Sequence, residues 1–246
     1  MTERGAPAWR RLARRVITAP GLRLLLPGWP DSGRRIVQYP ALAPLLGRAV
    51  QQVGAVRVAL NAGAGEGLHT PLIRAMAPAA VLLEFDVAVC PDAPDRGTAR
   101  FSASLTAIPL ATGSVDLAVC TEVLEHVTDD DAAVSELRRV LADGGSLVLS
   151  VPTPPAVFDP AHVREGYTLA QLSALLGRHG LDVLDVQYCM HALFKLVLKR
   201  WRPRRVPLAV IVGLSWLDRW MRIGVPMDIA VVARAARPPT ILASTP

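Results

Sequence analysis

The sequence has little that would cross-link it or anchor it. Its 246 residues include three cysteines, Cys90, Cys120 and Cys189, an odd and widely spaced set without a CxxC pair. That excludes a disulfide framework and a zinc knuckle, and it predicts a reduced, cytoplasmic setting. The apolar stretch "VPLAVIVGLSWL", Val206 to Leu217, stops at Asp218 after 12 residues, well short of the roughly 20 that a spanning helix needs. The N-terminal pieces "VITAP" and "LRLLLP" are broken by Pro and Arg, so no signal-peptide core is expected. Aromatic residues are few, yet 51% of the chain is hydrophobic. This excludes a disordered chain and leaves a globular one, long enough for a large α/β domain with appended pieces.

Charge is unevenly spread. Residues 1–50 carry +7, residues 51–190 carry −9, and residues 191–246 carry +8. An acidic centre between basic flanks predicts a soluble core whose ends meet an anionic surface, either a membrane or an acidic substrate.

The middle of the chain alternates between two periods. "VRVAL", "AAVLLEFDV", "SVDLAVC", "SLVLSVP", "LDVLDVQY" and "DIAVVARA" read as buried strands. "LHTPLIRAM", "DDAAVSELRRVLADGG", closed by Gly144 and Gly145, and "TLAQLSALLGRHG" read as helices between them. The pattern predicts an α/β fold with a doubly wound, mostly parallel sheet, whose ligands bind beyond the carboxyl ends of the strands.

The polar and glycine residues cluster at those ends. "ALNAGAGEGLHT", Ala59 to Thr70, places Gly63, Gly65 and Gly67 after the first strand. Such a loop turns sharply, and the helix after it offers N–H groups to an anion. Asp86 ends the next strand about 20 residues on, a position suited to a ribose diol. A nicotinamide enzyme uses the same architecture, but its G-x-G-x-x-G fingerprint would require glycine at position 68, where this chain has Leu68.

Leu105 to Pro154, "LTAIPLATGSVDLAVCTEVLEHVTDDDAAVSELRRVLADGGSLVLSVPTP", resembles the class I S-adenosylmethionine-dependent methyltransferases, in particular the type 11 group that includes quinone-biosynthesis O-methyltransferases. The resemblance extends over roughly Val56 to Tyr188. It implies a seven-stranded Rossmann-like methyltransferase fold with S-adenosylmethionine as cofactor. In that reading Asn61, Gly63, Ala64 and Gly65 hold the methionine end, Asp86 binds the ribose, Ser104 and Leu105 lie beside the adenine, and Thr121 and Glu122 close over the cofactor. The group usually carries an acid where this chain has Asn61 and Asp where it has Ser104. Weaker cofactor affinity follows, and Asn61→Asp is expected to tighten it.

His126, at the end of "TEVLEH", is the base expected for an oxygen acceptor. Glu122, Glu125 and His126 have helical i, i+3, i+4 spacing, and His162 can approach from the next loop. Four such donors are able to hold a divalent metal, although none is expected from the resemblance.

The flanks suggest the acceptor. The resemblance implies that residues 1–50 form a basic helical lid segment and residues 51–246 the methyltransferase domain, with a basic, apolar helical insertion at about 190–225. There Leu193, Phe194 and Trp201 alternate with Lys195, Lys199, Arg200, Arg202, Arg204 and Arg205, and Trp216 and Trp220 follow. This is the composition of an interfacial helix. It predicts a small, amphiphilic or lipid-like acceptor and peripheral contact with an anionic membrane. The alternatives are helices that merely pack on the sheet, a degenerate fold kept as a binding or scaffold protein, and an RNA methyltransferase. Nucleic acid is the weaker partner, because the basic segments are also strongly apolar.

Overall fold

A computed structural model describes residues 32–88, 97–156, 159–192 and 208–236. Seven strands form one sheet: β1 Val58–Ala62, β2 Val81–Asp86, β3 Ala99–Ser102, β4 Val115–Thr121, β5 Leu141–Pro152, β6 Leu181–Cys189 and β7 Asp228–Ala235. Their order is β3-β2-β1-β4-β5-β7-β6, with β7 antiparallel to both neighbours and the other pairs parallel. The expected mostly parallel sheet is therefore present, and the order reverses between β1 and β4.

Helices α1 Ser32–Val53 and α2 Thr70–Met76 cover one face. Helices α3 Asp130–Val140 and α4 Leu169–Arg178 cover the other. The caps of the second pair follow from sequence: Asp129 accepts from the Ala132 N–H at 2.9 Å, and Thr168 forms a capping box with Gln171. Strand β4 is buried along its whole length, as a central parallel strand must be. Helix α5, Leu208–Met221, stands between β6 and β7 where an insertion is expected. Among the described residues no helix is long and apolar enough to cross a membrane.

Two expectations change. The boundary at residue 50 falls inside α1, whose Leu42, Leu45, Leu46 and Ala49 are buried against Ala59, Leu117, Val148 and Val232 of the sheet. Residues 32–53 thus belong to the domain itself rather than to a lid. Residues 1–31 and the basic stretch 193–207 lie outside the described residues, as does Cys90. The helix expected to run to Gly144 stops at Val140, and β5 begins at Leu141 with a register shift opposite Val115 and Leu117. Gly145 has a steric task in that irregular start. A Cβ there would lie 2.8 Å from the Ala142 carbonyl oxygen and 3.2 Å from that of Asp116. The edge strand β3 has no apolar run to announce it and is visible only through its pairing with β2.

Because both atoms meeting that Cβ are backbone, Gly145→Ala is expected to cost about 1–3 kcal/mol. Urea unfolding should show a lower midpoint with an unchanged slope.

Candidate active site

The loop after β1 turns through Gly63, Gly65 and Gly67, with φ of 68°, 51° and 75°. Gly63 is required twice over, since a Cβ would lie 2.3 Å from Val123 Cγ2. The glycine loop and the turn after β4 therefore touch. Gly65 donates its N–H to Asp86 Oδ2 at 2.8 Å, and the Ala64 N–H bonds the Phe85 carbonyl, also at 2.8 Å. A small depression is lined here by Ala64, Gly65, Glu84, Phe85, Asp86, Arg100 and Phe101. Backbone turned by glycine beside a carboxylate at a strand end is the arrangement in which such sheets meet ligands.

Asn61, in β1 directly before the glycine loop, has a partner that its sequence reading does not include. It is 1% exposed, and its Nδ2 donates to Glu84 Oε1 at 3.2 Å. Thr70 at the start of α2 donates its hydroxyl to the same oxygen, while Thr98 at 2.9 Å and Arg100 Nε at 2.7 Å bind Oε2. Burial of Glu84 raises its pKa, but the hydrogen bonds from Thr70, Asn61 and Thr98 and the Arg100 charge outweigh this and hold it below its ordinary 4.5. Sequence reading passed over Glu84. A lone acid inside the apolar run "VLLEFDV" is the signal that marks it.

Ser104 and Leu105 follow β3 as expected, but their side chains face local tasks. Ser104 Oγ pairs with the Thr106 hydroxyl at 2.8 Å and accepts the Thr106 N–H, and Leu105 is buried in the core. Thr121 ends β4, buried. Glu122 follows with φ of 56°, an unusual value for a residue with a Cβ, and accepts from Ser150 Oγ at 2.9 Å.

That φ breaks the helical spacing read from the sequence. Leu124–His126 is a single 3₁₀ turn, and Glu122 is not part of the cluster that forms. Glu125, His126 and His162 do come together, with one donor atom from each lying within 4.8 Å of the others. His126 Nδ1 is 3.0 Å from the Ala161 carbonyl oxygen, an acceptor only, so this nitrogen donates and Nε2 is the one left for other partners. That Nε2 is 3.8 Å from Glu125 Oε1.

The loop bearing His162 is stitched to this turn. The Val163 N–H bonds the Glu125 carbonyl at 3.0 Å, and Arg164 donates to the carbonyls of Val127 at 2.8 Å and Thr128 at 3.0 Å. Arg164 and the Tyr167 hydroxyl both bind the Asp130 carboxylate, Tyr167 at 2.8 Å. None of Asp130, Arg164 and Tyr167 stands out in the sequence as a site residue.

A sheet of this order, a glycine loop, an acid ending the second strand and a polar turn after the fourth define an α/β domain of the doubly wound class, in which ligands bind at the switch point of the strand order. Residues 60–149 match the family model described as "Methyltransferase domain". A protein of Mycolicibacterium smegmatis, named a probable S-adenosylmethionine-dependent methyltransferase, is 33% identical over 151 residues, covering 55% of this chain and 56% of that one. A Mycobacterium tuberculosis protein of the same description is 31% identical over 168 residues, covering 63% and 56%. The chain thus spans little more than half the length of these relatives. Among solved structures, a SAM-dependent methyltransferase from Archaeoglobus fulgidus superposes with a TM-score of 0.56 at 16% identity, over 80% of this chain and 97% of that one. The 1,6-didemethyltoxoflavin-N1-methyltransferase of Burkholderia thailandensis, solved with S-adenosylhomocysteine, gives 0.54 at 15% identity over 96% and 93%. At such identities the likeness is one of fold.

Asn61→Asp would set a second carboxylate against Glu84 in place of a donor. The expected outcome is a stability loss of about 1–3 kcal/mol at neutral pH, read by urea unfolding, with no gain in cofactor affinity by calorimetry. Glu84 titrates lower in the folded state than when unfolded. Its contribution is therefore complete above pH 4.5 and lost as pH falls through the lowered value. Glu84→Gln should be less stable than the parent at neutral pH and should lose less on acidification, the two midpoints converging in acid.

Proposed function

We propose that this chain transfers the methyl group of S-adenosylmethionine to a small amphiphilic acceptor. The contact between the glycine loop and the turn carrying His126, with Asp86 on the loop's other side, carries the reading. Asn61 and Thr70 brace the loop from below, Gly63, Ala64 and Gly65 offer backbone to the methionine end, and Asp86 accepts from the ribose hydroxyls. Ser104 and Leu105 flank the adenine through their backbone, and Thr121 and Glu122 bound the pocket beneath the sulfur. The cofactor's sulfonium supplies an already activated methyl group, so the protein's part is alignment and proton removal. With Nδ1–H engaged by Ala161, His126 presents Nε2 to an acceptor hydroxyl and takes its proton as the methyl arrives.

The acceptor class rests on the surface between α5 and β7. Trp216 and Trp220 are 69% and 72% exposed and stack at 6.5 Å, and Met221, Ile223 and Val225 are exposed beside them. Arg219 and Arg222 lie among them, and the nearest acid in sequence, Asp218, is buried. Aromatic and aliphatic groups among cations suit an anionic lipid surface, from which an amphiphilic acceptor would be drawn.

Calorimetry should show one cofactor, or its demethylated product, bound per chain, and Asp86→Ala should weaken it by about 1–3 kcal/mol. His126→Gln should leave that affinity in place and lower turnover by about 10²–10⁴-fold. Binding without turnover across lipid and quinol acceptors would favour the scaffold reading. The protein should also float with anionic liposomes at low salt, and Trp216→Ser with Trp220→Ser should abolish this; retention of both variants on the vesicles would remove the membrane reading.

A further inference from the structure

We propose that Gln38 is a specificity-determining residue for the methyl acceptor, its buried side-chain oxygen receiving a hydroxyl of the acceptor other than the one that is methylated. The assignment rests on the methyl-transfer reading for what occupies the crevice.

Gln38 lies on α1 and is 1% exposed. Its Nε2 donates to Asp228 Oδ2 at 3.3 Å, and the Cys189 thiol reaches the same oxygen at 3.9 Å. A carboxylate only accepts, so the amide is oriented with its nitrogen toward Asp228 and Oε1 turned away. That oxygen is buried and has no hydrogen-bond partner among the described residues. A buried acceptor without a donor is destabilising, and an apolar side chain, like those of Leu42 and Leu45 further along the helix, would fill the space without that cost. A donor that arrives with a bound molecule accounts for the oxygen.

The position suits the acceptor. Asp228 opens β7 opposite Pro152 of β5 and Cys189 of β6, at the carboxyl ends of those two strands. Two residues before Pro152, Ser150 holds Glu122 in the turn after β4. Tyr39, next to Gln38 on α1, donates to the Leu68 carbonyl beyond the glycine loop. One turn of α1 therefore reaches from the loop to β7, and a molecule above the ends of β4 and β5 comes against it.

Electrostatics narrow the donor to a neutral group. Burial pushes the Cys189 thiol well above its ordinary range, and the charges of Asp228 and Glu122 add to this, whereas that of Arg219 opposes it. Both signs of charge thus already reach the region around Asp228, acids from the strand ends and a cation from α5. An anion would meet two carboxylates, and an ammonium group would meet Arg219 while giving up its hydration. A hydroxyl avoids both penalties and supplies the proton that Gln38 Oε1 lacks.

The test is calorimetry on the full chain saturated with S-adenosylhomocysteine, titrated with hexylresorcinol and with para-hexylphenol, two amphiphiles that differ by one hydroxyl. The expected result is that hexylresorcinol binds at least about tenfold more tightly. Its monomethyl ether, which keeps the oxygen but loses the donor, should bind like para-hexylphenol. Gln38→Met, similar in volume but without an acceptor, should bind both phenols alike while keeping its circular dichroism and its affinity for S-adenosylhomocysteine. A merely structural Gln38 would weaken both phenols together and leave their ratio in place. Should Gln38→Met fail to fold, the comparison of hexylresorcinol with its ether on the parent chain decides the matter. Absence of hexylresorcinol binding, equal affinity for it and its ether, or a preference that survives in a folded Gln38→Met would overturn the assignment. S-adenosylhomocysteine binding is measured first: its absence overturns the methyl-transfer reading as well, whereas its presence without a hydroxyl preference overturns only the role of Gln38.

Discussion

A single buried carboxylate organises the glycine-loop end of this domain. Glu84 Oε1 receives both Asn61, the penultimate residue of β1, and Thr70, the first residue of α2. The eight residues between them are the glycine loop, so one oxygen fixes both ends of it. Oε2 receives Thr98 and Arg100 and so brings in the edge strand β3. Removing a buried carboxylate from water is expensive, and four donors including a guanidinium repay it only because all four arrive together. Tyr39 of α1 adds a brace from outside, its hydroxyl 2.6 Å from the Leu68 carbonyl. Without these ties, a loop of positive-φ glycines would have far more conformations to lose on binding.

The turn after β4 and the loop after β5 are organised by a second set of ties that shares no residue with the first. Arg164 and Tyr167 converge on Asp130 at the start of α3, and backbone bonds join Val163 to Glu125. Burial, together with the Asp130 hydrogen bond, pushes the Tyr167 phenol well above its usual range, so it remains a neutral donor. Between the two sets stands Val123, pressed against Gly63. The unusual φ of Glu122 aims the chain from the end of β4 into that contact, and its side chain is secured by Ser150 of the neighbouring strand.

The sequence made much of this legible, for reasons that differ from element to element. The central strands are readable because buried strands need unbroken apolar runs, and "SVDLAVC" and "SLVLSVP" have them; the antiparallel pair β6 and β7 is readable from its Val- and Ile-rich runs. The edge strand "ARFS" has no such run; it is held by ladder bonds to β2 and by the Arg100–Glu84 pair, both long-range. Helix α1 contains Pro40 and Pro44, which local rules treat as breaks, yet the apolar face formed by Leu42, Leu45, Leu46 and Ala49 packs on the sheet and carries the helix past them. Asn61 is the most instructive residue. A chain-by-chain comparison of motifs registers only a missing acid, whereas strand pairing sets Asn61 opposite Glu84. Register between strands is a property of the assembled sheet, so the carboxylate's presence one strand over was not readable from position 61 alone.

The position of the site follows from topology. The sheet order reverses between β1 and β4, so the connections from these two neighbours leave toward opposite faces and open a crevice above their carboxyl ends. A crevice made in this way has no rigid floor of its own, because each wall belongs to a separate loop. Methyl transfer demands that two reactants be held in line to within a fraction of an ångström, and a loose wall forfeits that advantage. The two sets of ties answer the same problem on opposite sides: Glu84 braces the glycine loop, Arg164 and Asp130 brace the loop after β5, and the Gly63–Val123 contact joins the two sides. On this logic the polar residues with no direct part in the chemistry are as necessary to the site as those that line it.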